Sequence, residues 1–400
     1  MFSYTVAASS LHDSDAVDRI IAPVAERLTA LGGYRTDTPE ADPDHPHVIV
    51  VATGGTEALV LDAVERRASV VPWEPTVLIT HPLHNSLPAS LESLARVRLN
   101  GGRGRIVQIN TLGEPDRTLA DLEVLHRMRQ VRLGLVGAPS EWLVASIPDR
   151  QALEDRWGIK LVDVDITHTI EGQRVADPAR TDSVAVKYSG VATPDSETVA
   201  ASALHPALVD TIEHYDVDAV TVRCFDFLTE LTTSGCIALA ELNDTGIVAG
   251  CEGDVATTVS MLIARELLDS ASWIGNPSEI DIDNDRILLA HCTVAPSLVD
   301  DLELHTHFES DMGIGLRGSF APGAVTLIRL GGRGLENYWI AEAMVTTSGT
   351  SPDLCRTQVS LDVEPGRVSE LVEAPLGNHL VMVRGHHRER IERWWHLAHG

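Results

Sequence analysis

The first third of the chain alternates continuous apolar runs with segments of helical periodicity. HVIVVATGG (residues 47–55) is a β-branched run that ends in two glycines, and TEALVLDAVERR (residues 56–67) follows it with helical spacing. TVLITH (residues 76–81) and GRIVQIN (residues 104–110) repeat the apolar pattern on either side of a helical segment at residues 85–99. Runs that are apolar on both faces are typical of buried parallel strands. The alternation therefore predicts a parallel sheet covered by helices.

The strand–helix pattern starts again after residue 130 and changes character near residue 275. VRLGLVGAPSEWLVAS (residues 131–146) predicts a strand, a turn and the start of a helix, and DAVTVRCFDF (residues 218–227) predicts another buried strand. From about residue 275, short alternating segments separated by Gly, Pro and Asp-Asn are typical of antiparallel strands. We therefore predict an α/β protein with two doubly wound parallel-sheet domains, residues 1–130 and 131–252. A C-terminal β-rich domain with an antiparallel β-barrel would span residues 253–400.

Composition and charge narrow the classes of function. The 400 residues carry a formal net charge of −27 at pH 7, which leaves no basic footprint for nucleic acid. Five cysteines without a CxxC pair favour neither a disulfide framework nor a thiolate zinc site. The N-terminal segment lacks the basic start and apolar run of a signal peptide, and no apolar stretch reaches the roughly 18 residues of a membrane helix. We expect a cytoplasmic protein with no nucleic-acid or membrane partner.

Two carboxylates, Glu252 and Asp254, flank a glycine between an apolar strand pattern and a helical segment. Asp254 is a good helix N-cap, because its side chain can accept hydrogen bonds from free backbone N–H groups. Glu230 lies just past the end of another predicted buried strand. Its position favours a second role for Asp254, as a ligand that acts together with Glu230. Ligands of open α/β sheets gather at the carboxyl ends of strands, and a divalent metal is a natural partner for carboxylates there. The residues themselves leave both roles of Asp254 open.

Several histidines are candidate ligands or substrate contacts. His305 and His307 alternate in LELHTHFES, so on a strand they would share one face, and an ordinary surface pair is the alternative. His291 lies in the apolar run LLAHCTV, where a hydrogen-bonded core histidine is the simpler interpretation. His379 lies in a Gly-Asn turn that could deliver a ligand or face solvent. His84 belongs to a polar cluster after a predicted buried strand of the first domain.

A series of segments follows one order along the chain. The longest is CFDFLTELTTSGCIALAELNDTGIVAGCEGDVATTVSML (residues 224–262), and VIVVATGGTEALV, GNPSEIDIDNDRILLAHCT, HFESDMGIGLRGSF and GNHLVMVRGHHRERIE stand on either side of it. This order resembles the L-fucose isomerase and L-arabinose isomerase superfamily, in particular its short fucose isomerase-like members. The resemblance extends over almost the whole chain. It implies two α/β domains and a C-terminal domain with a β-barrel, in agreement with the apolar pattern.

The resemblance also implies a divalent ion, usually Mn²⁺, held by two carboxylates and a histidine. Matched by position, the carboxylates fall on Glu230 and Asp254, and Glu252 would be a neighbour rather than a ligand. The histidine falls on His379, although the turn reads GNHL where the arabinose enzymes have a pair of histidines. His291 is the alternative third ligand. The other candidates for substrate contacts or reserve ligands are His305, His307 and His84.

The activity that the resemblance implies is metal-dependent aldose–ketose isomerisation of a sugar or sugar derivative. Removal of the C2 proton leaves an enediolate, and a divalent ion bridging O1 and O2 would spread its negative charge. Glu230 and Asp254 would be catalytic, as ligands and as acid/base groups. Two alternatives stay open: an epimerase or lyase acting on a related polyol with the same site, or a non-catalytic sugar-binding protein with a degenerate site. The relatives imply a homo-oligomer, a trimer or hexamer, with a small-molecule sugar as substrate.

Overall fold

The computed structural model describes residues 1–190 and 194–400. These residues form two compact units. The first unit comprises Met1–Arg127 and Glu389–Gly400, and the second comprises Met128–Arg388. Within the described parts of the chain, no helix has the combination of length and apolarity that crossing a bilayer requires.

The first unit is built on a parallel sheet with helices around it. Its strands are β1 (Phe2–Ala7), β2 (Gly33–Arg35), β3 (His47–Val51), β4 (Thr76–Thr80) and β5 (Gly104–Gln108). Its helices are α1 (Ser14–Ala30), α2 (Glu57–Ala68), α3 (Ser86–Leu99), α4 (Glu114–Met128) and the C-terminal α14 (Arg388–Ala398). The strands lie in the order β2-β1-β3-β4-β5, and all neighbouring pairs are parallel.

Strand β3 shows why this sheet is buried on both faces. Val48 and Val50 pack in a core cluster with side chains of α1, whereas Ile49 and Val51 pack in another cluster with side chains of α2 and α3. Successive side chains of a strand point to opposite faces. A continuous apolar run therefore supplies both cores, as the pattern at residues 47–55 predicted.

The second unit begins with another parallel sheet. Its strands are β6 (Arg132–Val136), β7 (Lys160–Val164), β8 (Ala219–Val222) and β9 (Ala249–Cys251), in the order β7-β6-β8-β9. The helices that accompany it are α5 (Arg150–Trp157), α6 (Ile166–Arg174), α7 (Pro178–Ser189), α8 (Ser196–Ser202), α9 (Leu204–Tyr215), α10 (Phe225–Leu231), α11 (Cys236–Thr245) and α12 (Val255–Leu268).

The rest of the second unit contains a closed antiparallel barrel. Its strands are β10 (Trp273–Asp281), β11 (Arg286–His291), β14 (Gly323–Gly331), β15 (Asn337–Ser348), β16 (Thr357–Val363) and β17 (Leu380–Arg384), in the order β10-β11-β16-β15-β14-β17. A separate hairpin-like pair is formed by β12 (Asp301–His305) and β13 (Gly315–Ser319), and α13 spans Arg367–Glu373. The predicted fold class, two parallel-sheet regions followed by an antiparallel barrel, is confirmed. The predicted domain ranges stay predictions.

The barrel register brings two histidine-bearing strand ends together. Strand β10 lies between β11 and β17, with Asn276 opposite Ala290 and Gly275 opposite Leu380. His291 is the last residue of β11, and His379 immediately precedes β17. Both histidines therefore flank the same stretch of β10, at one end of the barrel.

Candidate metal centre

Among the described residues, one group of side chains could hold a metal ion: Glu252, His291 and His379, whose ligand atoms all lie within 4.8 Å of one another. The Oε1 atom of Glu252 lies 3.8 Å from Nε2 of His291 and 3.6 Å from Nε2 of His379. The two imidazole centroids are 5.4 Å apart, with the rings inclined at 76°. We call these residues the three-residue group.

A tight turn after β9 brings Glu252 to this position. Glu252 has φ 62° and Gly253 has φ 75°, both in the left-handed region. A Cβ atom on Gly253 would lie 2.7 Å from Cα of Pro139, so the close approach of the chain there requires glycine. The backbone N–H of Ser140 donates to the carbonyl of Glu252 at 2.9 Å. A glutamate held in a sparsely populated conformation by its surroundings is typical of a functional position.

Each member of the three-residue group is held by a hydrogen bond on its opposite side. The indole N–H of Trp142 donates to Oε2 of Glu252 at 2.6 Å. Nδ1 of His379 lies 2.9 Å from Oδ2 of Asp254, and Nδ1 of His291 lies 3.0 Å from Oγ1 of Thr293. Ligating histidines commonly use their second nitrogen in this way, which fixes the ring and directs the other nitrogen to the ion.

The three-residue group fits a divalent ion on the chemistry of its donors. Nε2 of His379 is buried and has no hydrogen-bond partner. A buried polar atom without a partner costs about 1–3 kcal/mol, so a structure rarely keeps one without a purpose. One carboxylate oxygen and two imidazole nitrogens form a set that suits zinc, iron or manganese. An ion between these atoms would satisfy the unpartnered nitrogen.

The electrostatics of the three-residue group also call for positive charge. Burial raises the pKa of Glu252, but the nearby imidazoles of His291 and His379 outweigh burial and hold that pKa well below its usual range. Burial lowers the pKa of His291. Burial also lowers the pKa of His379, yet Asp254 and Glu252 together overcome it and raise the pKa to about 9. Two carboxylates beside one imidazole thus favour a cation at this position.

Asp254 has both of its oxygens engaged within the protein. It caps α12, with Oδ1 accepting from the backbone N–H of Thr257 at 2.8 Å, and Oδ2 accepts from the Thr257 hydroxyl at 2.7 Å. Oδ2 also faces His379 and lies 3.4 Å from Nη1 of Arg329. The cap predicted from the sequence is therefore present. The carboxylate faces a histidine of the three-residue group rather than standing among its convergent donor atoms.

The other candidate residues from the sequence do not belong to the three-residue group. Glu230 is exposed on α10 and is not part of the three-residue group, so its role as a ligand stays a prediction. His305 ends β12 and lies 3.0 Å from a carboxylate oxygen of Glu303. His307 lies beyond the end of β12, with its ring 5.6 Å from that of Phe225.

His84 lies in the other compact unit. It is exposed in the turn before α3, where it adopts φ 54°. It lines a cavity of that unit with His12 and with the glycine turn after β3. The polar segment noted after a buried strand of the first domain thus lines a cavity of the first unit, and a functional role for His84 stays a prediction.

A cavity that is partly open to solvent lies against the three-residue group. Glu252 and His291 form part of its wall, and His307, Phe225 and Asn276 face the same space. The cavity is also lined by every cysteine of the chain, namely Cys224, Cys236, Cys251, Cys292 and Cys355. No motif in the sequence connects these thiols, because they are scattered over distant segments.

Comparison with known proteins links the chain to isomerases. No family model matches it. It is 24% identical over 228 residues, 54% of this chain and 50% of the other, to the sulfoquinovose isomerase of Priestia aryabhattai. It is 28% identical over 182 residues, 43% of this chain and 40% of the other, to the sulfoquinovose isomerase of Clostridium sp. (strain MSTE9). The chain spans about half the length of the curated relatives it matches. The similarity is to proteins named for isomerising a sugar.

Proposed function

We propose that this chain is a metal-dependent aldose–ketose isomerase that acts on a sugar or sugar derivative. The observation that carries the proposal is the convergence of Oε1 of Glu252 with Nε2 of His291 and of His379. The sequence similarity to sulfoquinovose isomerases supports the reaction class. In this proposal Glu252, His291 and His379 are the metal ligands, and Mn²⁺ is the ion to test first.

Different residues would bind the ion, orient its ligands and transfer protons in such a reaction. A bound divalent ion supplies Lewis acidity toward the oxygens of the sugar. Trp142 and Asp254 orient the ligands Glu252 and His379 through their hydrogen bonds. The carboxylate of Glu252 stands at the cavity wall, where it can also accept a proton from the substrate carbon.

A second carboxyl at the cavity has the environment of a proton donor. Glu309 is an exposed residue that lines the cavity, and partial desolvation of its carboxyl together with the charge of Glu252 raises its pKa. A carboxyl that holds its proton more tightly can return it to the neighbouring carbon or oxygen of the sugar. We assign Glu309 this role in the proposed reaction.

The test compares two glutamates that differ in position. We expect E252Q to lose bound Mn²⁺, measured by elemental analysis of the purified protein, and to lose exchange of the substrate C2 hydrogen with deuterated water. E230Q is the matched control, because Glu230 is exposed on α10, and it should retain both properties. The substrate panel should contain sulfoquinovose and neutral aldoses, with NMR detection of ketose and of epimer. Loss of metal in E230Q with retention in E252Q would overturn the ligand assignment.

We also propose that the protein is a homo-oligomer, as the family resemblance implies. The segment that holds Trp142 exposes three apolar side chains: Trp142 is 51% exposed, Val144 88% and Ile147 49%. Grouped exposed apolar side chains are typical of surfaces that another protein covers. Light scattering should give a multiple of 43.2 kDa, and a monomer across a wide concentration range would contradict the proposal.

A further inference from the structure

A charged side chain is fully buried in the second unit. Arg329 belongs to β14, and its side chain is completely buried. Nε donates to the carbonyl of Leu376 at 3.3 Å, and Nη2 donates to that carbonyl at 3.3 Å and to the hydroxyl of Ser146 at 2.8 Å. Nη1 faces Oδ2 of Asp254 at 3.4 Å, the carbonyl of His379 at 3.2 Å and the hydroxyl of Thr257. All three nitrogens of the guanidinium are used.

The partners of Arg329 belong to three segments, and each segment carries a group that orients or forms the proposed centre. The carbonyls of Leu376 and His379 belong to the turn that presents the His379 ring. Asp254 holds Nδ1 of that ring. Ser146 belongs to the segment that contains Trp142, whose indole N–H donates to Glu252. A single guanidinium thus connects the supports of two of the three proposed ligands.

The chain makes room for this guanidinium at a glycine. Gly377 has φ 139°, a conformation that favours glycine, and a Cβ atom there would lie 2.0 Å from Nη2 of Arg329. The turn before His379 therefore follows the outline of the arginine side chain. The turn is therefore shaped to fit the guanidinium, in addition to the hydrogen bonds and the carboxylate that compensate its charge.

We propose that Arg329 is a positioning residue of the metal centre: it fixes Asp254 and the turn at residues 376–379 so that Nε2 of His379 faces the ion. The inference rests on the proposed function. Lysine would keep the positive charge, but its single ammonium cannot reproduce the planar fork that reaches several acceptors at once. Removal of a partner that orients a metal-ligating histidine typically weakens metal binding by about 10–100-fold.

A second buried arginine provides the matched control. Arg67 in the first unit is also buried, and it donates to the carbonyls of Pro39, Asp42 and His45 and to the carboxylate of Glu74. None of these partners belongs to the three-residue group. Arg67 and Arg329 are therefore alike in burial and in serving several backbone carbonyls, and they differ in what those partners hold.

The experiment measures Mn²⁺ binding by calorimetry and the imidazole nitrogens of the apo protein by ¹⁵N NMR, for the wild type, R329K and R67K. The His379 signals are identified by their loss in H379Q. We expect R329K to weaken Mn²⁺ binding about 10–100-fold and to shift the His379 signals. R67K should lower the melting temperature while leaving Mn²⁺ affinity and the His379 signals unchanged.

Each outcome decides one of the two proposals. If R329K binds Mn²⁺ as the wild type does and its His379 signals do not move, Arg329 is only structural and the inference is wrong. If the wild type binds no divalent ion, the proposed function fails. In that case, a shift of the His379 signals in R329K but not in R67K still supports the positioning of this ring, and unshifted signals refute it.

Discussion

Replacement of Asp254 by Asn separates its role as a helix cap from its role as a partner of buried groups. Asn caps a helix nearly as well as Asp, so the bond from the Thr257 backbone to Oδ1 can persist. At the Oδ2 position, an amide NH₂ would replace an acceptor that faces His379, Arg329 and the Thr257 hydroxyl. These neighbours include obligate donors, because a guanidinium has no acceptor. D254N therefore removes the hydrogen-bond acceptor that faces Arg329 and keeps the helix cap.

The size of the effect follows from burial. The side chains of Asp254 and Arg329 are both 0% exposed, and their charged atoms are 3.4 Å apart. Removal of one partner from a buried ion pair typically costs about 3–5 kcal/mol, because the remaining charge stays buried without compensation. A whole domain is stable by only about 5–15 kcal/mol. We therefore expect D254N to lose a large part of the free energy of unfolding of the second unit, whereas a cap alone predicts almost no loss.

The assay is urea unfolding in the presence of EDTA, so that metal binding does not contribute. Tryptophan fluorescence follows the unfolding, since four of the seven tryptophans belong to the second unit and one of them, Trp273, is fully buried on the barrel strand β10. D165N is the control, because Asp165 caps α6 by accepting from the backbone N–H of Thr167 and is exposed. We expect D254N to be at least 3 kcal/mol less stable than D165N, as about the lower end of that range. Equal stability of the two variants in EDTA would refute the reasoning from the buried pair.

Three further predictions concern pH, metal and thiols. Burial, followed by the charge of Arg67, lowers the pKa of His47 from 6.5 to about 4. The unfolded chain therefore binds this proton first, so the contribution of the neutral ring is full above pH 6.5 and is lost as the pH falls toward 4. This contribution of His47 to the free energy of unfolding amounts to about 3 kcal/mol. In urea unfolding, H47N should therefore lose less stability than the wild type between pH 6.5 and 4. Equal losses would contradict the lowered pKa of His47. EDTA should lower the melting temperature and Mn²⁺ should restore it, since an ion at a hundred times its dissociation constant adds about 2.7 kcal/mol; identical melting curves would count against a metal site. Cys355 is partly exposed whereas the other four thiols are buried. Its hydrogen bond with Cys292, followed by burial, raises the pKa of Cys355, so the reaction with iodoacetamide should be slow but should still modify Cys355 before the buried thiols. Mass spectrometry checks this order, and a faster reaction at a buried thiol would contradict it.

Local patterns in the sequence were sufficient to predict the fold class. The run at residues 47–55 specifies a strand buried on both faces, because its alternate side chains meet two different cores. The alternating segments after residue 275 similarly predict strands with one face toward the barrel interior. Such patterns are local, so they can be read without knowing which strands become neighbours.

The members of the three-residue group depended on long-range information that the sequence does not display. Glu252 and Asp254 are two residues apart, and the backbone turn at Glu252 and Gly253 decides which of them meets His291. No periodicity reveals that left-handed turn. His291 shows the same difficulty, because a buried histidine in an apolar strand is compatible with both a core residue and a ligand. The register of β10 with β11 and β17 resolves it by bringing His379 alongside.

One signal in the sequence could have identified a further residue. GAVTLIRLGG (residues 323–332) predicts a buried strand, and Arg329 interrupts its apolar run with a permanent charge. Arginine is almost never fully buried unless it is paired. A search for acidic partners would have pointed to a carboxylate elsewhere in the chain, although not to Asp254 in particular. A permanent charge inside an apolar strand pattern therefore indicates a buried ion pair, even where its partner is distant in sequence.

The pairing of Arg329 with Asp254 also explains how Asp254 can cap a helix and support the three-residue group at the same time. The capping bond uses Oδ1, whereas Oδ2 serves His379 and the guanidinium, so the carboxylate performs both tasks at once. The cap fixes Asp254 relative to α12, and Arg329 belongs to the barrel strand β14. The position of the His379 ring is therefore fixed relative to a helix of the parallel-sheet region and to a strand of the barrel. Glu252 follows a strand of the parallel sheet, whereas both histidines belong to the barrel region. A group of ligands drawn from two regions keeps its geometry only if side chains such as Arg329 and Asp254 connect those regions.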